Sequence, residues 1–167
     1  TSSASLIMRN LLQLPIQQCD DRGTRLNNEQ LNAKIETLKK VYAFHQLNQM
    51  FSAIALLQKI GGFEIAMMTG AYLEAAKQKM IIVVDGFIAT AALLIASKMS
   101  NTVLQHCIFA HTSSEQGHEK MLHYLHAKPL LQLEMRLGEG TGAALAIPLI
   151  QSAVNFLNEM ASFETAG

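Results

Sequence analysis

The segment 136–144, RLGEGTGAA, places one carboxylate between two glycines. Glu139 can accept a proton, and because Gly138 and Gly140 have no side chains, a ligand can approach the backbone there and the chain can adopt positive φ. An apolar helical pattern from Ala143 to Phe163 follows, and the N-terminus of a helix presents unpaired N–H groups and the positive end of its dipole. The segment therefore predicts an anion-binding turn that carries an acid–base residue.

A purely structural turn is an alternative interpretation of the same residues. Glycine and threonine are ordinary turn and cap residues, and glycine-rich turns before helices are common. The carboxylate of Glu139 could order such a turn by accepting backbone N–H bonds instead of taking a proton from a substrate. The spacing alone leaves both interpretations open.

Two apolar segments predict parallel strands that end at polar residues. The run Met80–Asp85 is β-branched and apolar on both faces, as expected of a strand covered by helices, and Cys107–Ala110 predicts a second, shorter strand. Ligands of open α/β sheets bind beyond the carboxyl ends of the strands, so we expect Asp85, Gly86 and Ser113 around one crevice. Asp85 and Ser113 could each instead cap the helix that follows.

Helical periodicity predicts the elements that must position these residues. The predicted helices are Ala4–Leu14, one from a capping box at Asn27 to about His45, Phe51–Lys59, one starting at Phe63, Phe87–Lys98 and Ala143–Phe163. Gly61-Gly62 predicts a left-handed helix end, and Leu130–Leu133 a third strand or an extended approach to the glycine turn. Strands that alternate with helices predict an α/β fold with a parallel sheet covered on both faces.

The composition limits the class of protein. The 167 residues are 50% hydrophobic and 16% charged, which predicts one domain with a sizeable core. Thirteen basic and thirteen acidic side chains balance, so neither nucleic acid nor a membrane surface is predicted as a partner. Cys19 and Cys107 lie far apart and predict reduced thiols in a cytoplasmic protein, and Asp85 interrupts the longest apolar stretch, which argues against a membrane span.

Histidine and lysine residues have ordinary interpretations when the sequence is considered residue by residue. His111, His118, His123 and His126 fit no zinc-binding spacing, so we interpret them as structural and predict no metal. Lys34 lies one turn inside a predicted helix, where a lysine is usually solvated.

The tail 130–167, LLQLEMRLGEGTGAALAIPLIQSAVNFLNEMASFETAG, resembles the C-terminus of the nicotinate-nucleotide:dimethylbenzimidazole phosphoribosyltransferase family. The resemblance extends upstream through Gly61–Ala66, Val84–Ala92 and His111–His118 and covers nearly all of the sequence. It implies a doubly wound, mostly parallel sheet with helices on both faces and a C-terminal helix joining a small helical subdomain. The chain resembles the C-terminal half of that fold, with 1–135 as part of the α/β nucleotide-binding core and 136–167 as the catalytic turn and C-terminal helix.

The resemblance implies a pentosyltransferase. In the implied reaction a nitrogen of 5,6-dimethylbenzimidazole or a related azole attacks C1′ of nicotinate mononucleotide, which releases nicotinate and leaves α-ribazole phosphate for the lower ligand of cobalamin. The resemblance implies no metal and no organic cofactor, and we expect a homodimer.

The resemblance also implies roles for individual residues. Glu139 matches the position of the family's general base. Gly23 and Lys34 match positions that resemble its phosphate-binding residues, and the other implied substrate-binding residues are Asp85, Gly86, Ser113, Arg136, Leu137 and Gly138.

Two other classes of function remain open from the sequence. The chain could be a non-catalytic fragment that folds, dimerises or binds the mononucleotide weakly. It could also be a helical interaction module, although the strand ends at Asp85 and Ala110 argue against that class, because a helical module needs neither.

Overall fold

The computed structural model describes residues 1–19, 27–135 and 138–161. These ranges contain, in chain order, α1 (Ser2–Leu12), α2 (Asn28–Phe44), α3 (Ala53–Ile60), α4 (Phe63–Lys77), β1 (Ile82–Val84), α5 (Phe87–Met99), β2 (Cys107–Phe109), α6 (Gln116–Tyr124) and α7 (Thr141–Glu159). Short 3₁₀ segments lie at Ile16–Gln18 and Asn101–His106. The predicted α/β class with parallel strands is confirmed.

The sheet of the described residues consists of β1 and β2, which pair in parallel with Val83 opposite Ile108. The predicted first strand, Met80–Asp85, is too long at its start, because Met80 and Ile81 are 58% and 60% exposed and precede the paired residues. Leu130–Leu133, predicted as a third strand or an extended approach to the glycine turn, forms a single parallel bridge, between Leu131 and His111.

Helix α5 forms the centre of the core. Every residue from Thr90 to Ala96 is buried, because α1, α3, α4 and α6 pack around this helix. On the α4 side, Thr69 and Tyr72 donate hydrogen bonds to the backbone carbonyls of Ala92 and Ala89, at 3.3 and 3.4 Å. Burial raises the pKa of Tyr72 to about 12, so this hydroxyl remains a neutral donor.

The ends of the other helices confirm some local predictions and correct others. Asn27 and Gln30 form the predicted capping box at the start of α2. Helix α1 begins at Ser2, two residues before the predicted start at Ala4, and its N-cap residue is Thr1. Gly61 ends α3 with a φ of −73°, so the predicted left-handed helix end is wrong, and the extended backbone there leads directly into α4.

Helix α7 lies mostly on the surface. Its buried residues are Gly142 and Ala146, both near its start. Leu145, Leu149, Phe156 and, directly after the helix, Met160 form an apolar stripe that is solvent-exposed, each side chain being between 47% and 66% exposed. No helix in the described ranges is both long enough and apolar enough to cross a membrane. Neither cysteine takes part in a disulfide.

Candidate active site

A crevice of about 540 Å³ opens beyond the carboxyl ends of β1 and β2. This volume lies in the range of small-molecule sites, roughly 300–1,000 Å³. Five of the residues that the sequence predicts as site residues line the crevice, namely Asp85, Gly86, Ser113, Gly138 and Glu139. Thr1, at the start of α1, and His111 line it as well. The structure therefore brings together the turn after β1, the turn after β2 and the glycine turn.

The remaining predicted site residues are Gly23, Lys34, Arg136 and Leu137. Gly23, Arg136 and Leu137 lie outside the described residues. Lys34 lines a second hollow, together with Ser2, Ser3 and Lys59. Because Thr1 lines the crevice and the next two residues line the second hollow, the N-terminus of α1 lies at the boundary between the two.

Both carboxylate oxygens of Asp85 accept hydrogen bonds from the start of α7. Oδ2 accepts from the Gly140 N–H at 3.2 Å, and Oδ1 accepts from the Ala143 N–H at 2.9 Å. Asp85 therefore does not cap α5, whose N-cap residue is Gly86. A carboxylate at a helix N-terminus satisfies unpaired N–H groups and lies at the favourable end of the helix dipole. The anion that the sequence predicts at this helix start is thus supplied by the protein itself.

The glycine turn consists of three consecutive residues with positive φ. Gly138, Glu139 and Gly140 have φ values of 74°, 59° and 80°. Positive φ is uncommon for a residue with a side chain, and the glycines on either side of Glu139 adopt it without steric cost. The Thr141 N–H donates to the Gly138 carbonyl at 3.1 Å and closes the turn. Glu139 thereby lies at the edge of the crevice with its side chain exposed.

Gly142 brings α7 into direct contact with the end of β1. A Cβ atom at this position would overlap the imidazole of His111 and approach Asp85 Oδ1 to 2.7 Å. His111 is only 4% exposed, and its Nδ1 lies 3.6 Å from Asp85 Oδ1. The first turn of α7 therefore packs on the pair formed by Asp85 and His111, and this packing requires glycine.

A buried hydrogen-bonded chain links the two strand-end turns. His118 Nδ1 accepts from the Ser113 N–H at 2.9 Å, so the proton of the neutral ring lies on Nε2, which donates to Thr90 Oγ1 at 2.9 Å. The Thr90 hydroxyl then donates to the Gly86 carbonyl at 2.8 Å. Burial, assisted by His111, lowers the pKa of His118 to about 4, although Asp85 opposes the shift.

The Ser113 hydroxyl is available to a ligand. Ser113 does not cap α6, whose N-cap residue is Glu115. The oxygen of its side chain is buried and has no hydrogen-bond partner among the described residues. Because an unsatisfied buried hydroxyl is costly and this one belongs to a crevice residue, a polar group of a ligand is a suitable partner.

The sequence predicted no site role for Thr90 or Gly142, and it predicted His118 only as a structural histidine. The pattern around His118 is that of an ordinary helix, and the importance of Thr90 and Gly142 depends on neighbours that are distant in sequence. In ranges 1–19, 27–135 and 138–161, no three His, Cys, Asp or Glu side chains are grouped so that they could hold a metal ion.

Known proteins share both the sequence and the fold. A phosphoribosyltransferase family profile matches residues 1–167. The nicotinate-nucleotide–dimethylbenzimidazole phosphoribosyltransferase of Shewanella sp. (strain ANA-3) is 54% identical over 100% of this chain and 47% of its own length. The protein of the same name from Shewanella frigidimarina is 51% identical over 100% of this chain and 47% of its own length.

A solved structure agrees with this similarity. CobT from Thermus thermophilus is 36% identical and superposes with a TM-score of 0.92 over 99% of this chain and 49% of that chain. The chain therefore spans about half the length of the relatives that it matches.

The low pKa of His118 predicts loss of stability in acid. Between pH 6.5 and about 4 the unfolded chain binds a proton that folded His118 does not bind, so the free energy of unfolding falls as the pH falls through this window. Measured by urea unfolding, the free energy of unfolding should fall by roughly 2 kcal/mol between about pH 7.5 and about pH 5 because of this group.

Two matched variants isolate this contribution. His118→Gln should be less stable at neutral pH and should lack this part of the loss in acid, because it has no ring to protonate. His123→Gln changes an exposed histidine of the same helix and should keep the full loss. Equal acid sensitivity of the two variants would contradict the assignment.

Proposed function

The chain belongs to the nicotinate-nucleotide–dimethylbenzimidazole phosphoribosyltransferase family, and we propose from this membership that it takes part in phosphoribosyl transfer from nicotinate mononucleotide to 5,6-dimethylbenzimidazole. A nitrogen of the azole forms a bond to C1′ of the mononucleotide as the bond from C1′ to nicotinate breaks. The products are α-ribazole phosphate, a precursor of the cobalamin lower ligand, and nicotinate. Such a displacement requires that both reactants are held in position and that a base takes the azole proton.

We propose Glu139 as that base. The observation that carries this proposal is the position of an exposed carboxylate on the glycine turn, at the edge of the crevice. Among the described residues, two other carboxylates line the crevice: both oxygens of Asp85 are occupied by the N–H groups of α7, and Glu115 is the N-cap residue of α6. The nearby histidine, His111, is buried beneath Gly142. Glu139 is therefore the crevice residue best placed to receive a proton from a bound azole.

The phosphate of the mononucleotide fits the part of the crevice beside Ser113 and the N-terminus of α1. The unpartnered Ser113 hydroxyl is one donor, and the first N–H groups of α1, which begins where the crevice meets the second hollow, are others. Lys34 would supply a positive charge from the hollow, and Gly86 allows close approach to the backbone after β1. Gly23, Arg136, Leu137 and Gly138 remain predicted substrate contacts.

We further propose a homodimer formed through α4. Phe63 and Met67 on this helix are 91% and 76% exposed, and Gly70, at its midpoint, has open space where a Cβ would lie. An antiparallel pair of α4 helices around Gly70 would let the backbones approach closely and cover these apolar side chains. It would also place each Phe63 beside the partner's Lys77, where an ammonium group can lie over an aromatic ring.

A non-catalytic role is the second candidate, because the chain spans only about half the length of its relatives. In that role it would still fold, dimerise and bind the mononucleotide. We propose a cytoplasmic location, which two cysteines without a disulfide support.

Loss of the Glu139 carboxylate should reduce turnover and leave binding intact. A positioned general base typically contributes about 10²–10⁴ in rate, so Glu139→Gln should lower kcat by that factor with both KM values nearly unchanged. The assay follows the release of nicotinate. The protein is expressed together with any coding sequence that flanks these 167 residues in its gene. Glu134→Gln, an exposed carboxylate before the turn, should retain full turnover. If the Gln variant at 139 kept its turnover but melted at a lower temperature, Glu139 would be a structural turn residue.

Lys34→Ala should weaken mononucleotide binding without abolishing it. Removal of the charge leaves the N–H donors and the Ser113 hydroxyl in place, so we expect a rise of about 10-fold in the KM for the mononucleotide and little change in the KM for the azole. Lys40→Ala, on the exposed surface of the same helix, is the control. Unchanged affinity of the Lys34 variant at low salt would make Lys34 an ordinary helix-surface residue.

Met67→Glu should produce a monomer. Antiparallel pairing would bury the new charges of both copies in the apolar contact, at a cost that the interface cannot offset. Sedimentation velocity checks this expectation, with Met160→Glu on the exposed stripe of α7 as the control. If Met67→Glu remained a dimer and Met160→Glu became a monomer, the interface would lie on α7 and not on α4.

A further inference from the structure

We propose that Asp85 is a positioning residue, which holds Glu139 at the crevice by binding the start of α7 and does not itself bind substrate. The proposal rests on the proposed role of Glu139 as the base. It changes the role that family resemblance implies for Asp85, which is a contact to the substrate.

The hydrogen bonds of Asp85 carry the first step of this inference. One of its two partners, the N–H of Gly140, belongs to the residue directly after Glu139, and the other, the N–H of Ala143, belongs to the first turn of α7. Backbone donors take about two of the four lone-pair sites of this carboxylate, and the buried His111 ring lies 3.6 Å from Oδ1. These two bonds join the end of β1 to the peptide unit between Glu139 and Gly140 and to the one between Gly142 and Ala143.

The packing of α7 carries the second step. Its buried residues, Gly142 and Ala146, lie in its first two turns, and the remainder of the helix is exposed or only partly buried. The Glu139 side chain is exposed. The position of Glu139 over the crevice therefore depends on the first turn of α7, and Asp85 makes the two side-chain hydrogen bonds that this turn has in the described structure.

His111 and Gly142 complete the contact. The imidazole of His111 lies against Gly142, where any Cβ would overlap it, and its Nδ1 is 3.6 Å from Asp85 Oδ1. The first turn of α7 is thus held by hydrogen bonds to Asp85 and by contact with a buried ring. Because the positive-φ residues 138–140 connect this turn to the chain before it, a shift of the helix start would also shift Glu139.

Two readouts separate positioning from substrate binding. Asp85→Asn keeps the size of the side chain but replaces one acceptor by an N–H₂ group, which faces a backbone N–H and cannot accept from it. A displacement of the base by about 1 Å costs roughly 10²-fold in rate, so we expect kcat to fall by about that factor while the KM for the mononucleotide stays within about twofold. A substrate contact would instead raise that KM.

A double-mutant cycle tests whether Asp85 acts through Glu139. In the Glu139→Gln background, Asp85→Asn should reduce the residual turnover by less than about twofold, because the base that it positions is already lost. Losses that multiply in the double variant would overturn the proposal and make Asp85 an independent contributor to the reaction.

A third readout does not depend on activity. Hydrogen exchange of the peptide that covers 139–146 should become faster in Asp85→Asn and in Gly142→Ala, and should stay unchanged in the control Glu119→Gln, an exposed carboxylate on α6. Unchanged exchange in both variants would overturn the positioning role. If the unmodified protein released no nicotinate, the proposed function would fail, and the exchange rates would still decide whether Asp85 holds the turn.

Discussion

The carboxylate of Asp85 joins the end of β1 to the start of α7. Its two hydrogen-bond donors, the N–H groups of Gly140 and Ala143, lie 55 and 58 residues further along the chain. The geometry of the crevice depends on this contact, because α7 packs on the core mainly through its first turns and the glycine turn that carries Glu139 is attached to it. The interaction also decides where an anion can bind. Unpaired N–H groups at a helix start usually favour an external anion, but here a side chain of the protein accepts from them. For this reason we propose that the phosphate of a mononucleotide lies beside Ser113 and the N-terminus of α1 instead.

His118 supports two of the turns that line the same crevice. A neutral imidazole can accept at one nitrogen and donate at the other, and the ring uses both functions to join the Ser113 backbone to Thr90 and, through it, to Gly86. A charged ring would have no acceptor nitrogen, and its burial would be costly, which is why its pKa is low. The turn after β1 and the turn after β2 thus share one buried network, in addition to the backbone pairing of two short strands. This network explains how a small parallel sheet can hold two separate loops in fixed positions.

Exposed apolar side chains lie on both α4 and α7. On α4 the exposed side chains cluster around Gly70, whereas on α7 they extend along the helix from Leu145 to Met160. The relatives are about twice as long as this chain, so a large apolar surface on a chain of this length agrees with a fold of which it forms one part. The high similarity to one half of a solved structure shows that this part keeps the architecture of the family.

The sequence by itself determined the helices, the parallel strands and the residue types of the site, because these depend on local signals. Apolar periodicity placed α5 almost to the residue, the Asn27 and Gln30 pair marked the start of α2, and polar residues after apolar runs marked the strand ends that form the crevice. Tertiary structure alone decided the partner of Asp85, the neutral state of His118 and the need for glycine at 142. It also decided that Lys34 lies in a second hollow and that the stripe of α7 is exposed. Hydrogen bonds and close contacts between residues far apart in the chain leave no periodic pattern, so only the folded arrangement shows which groups they join.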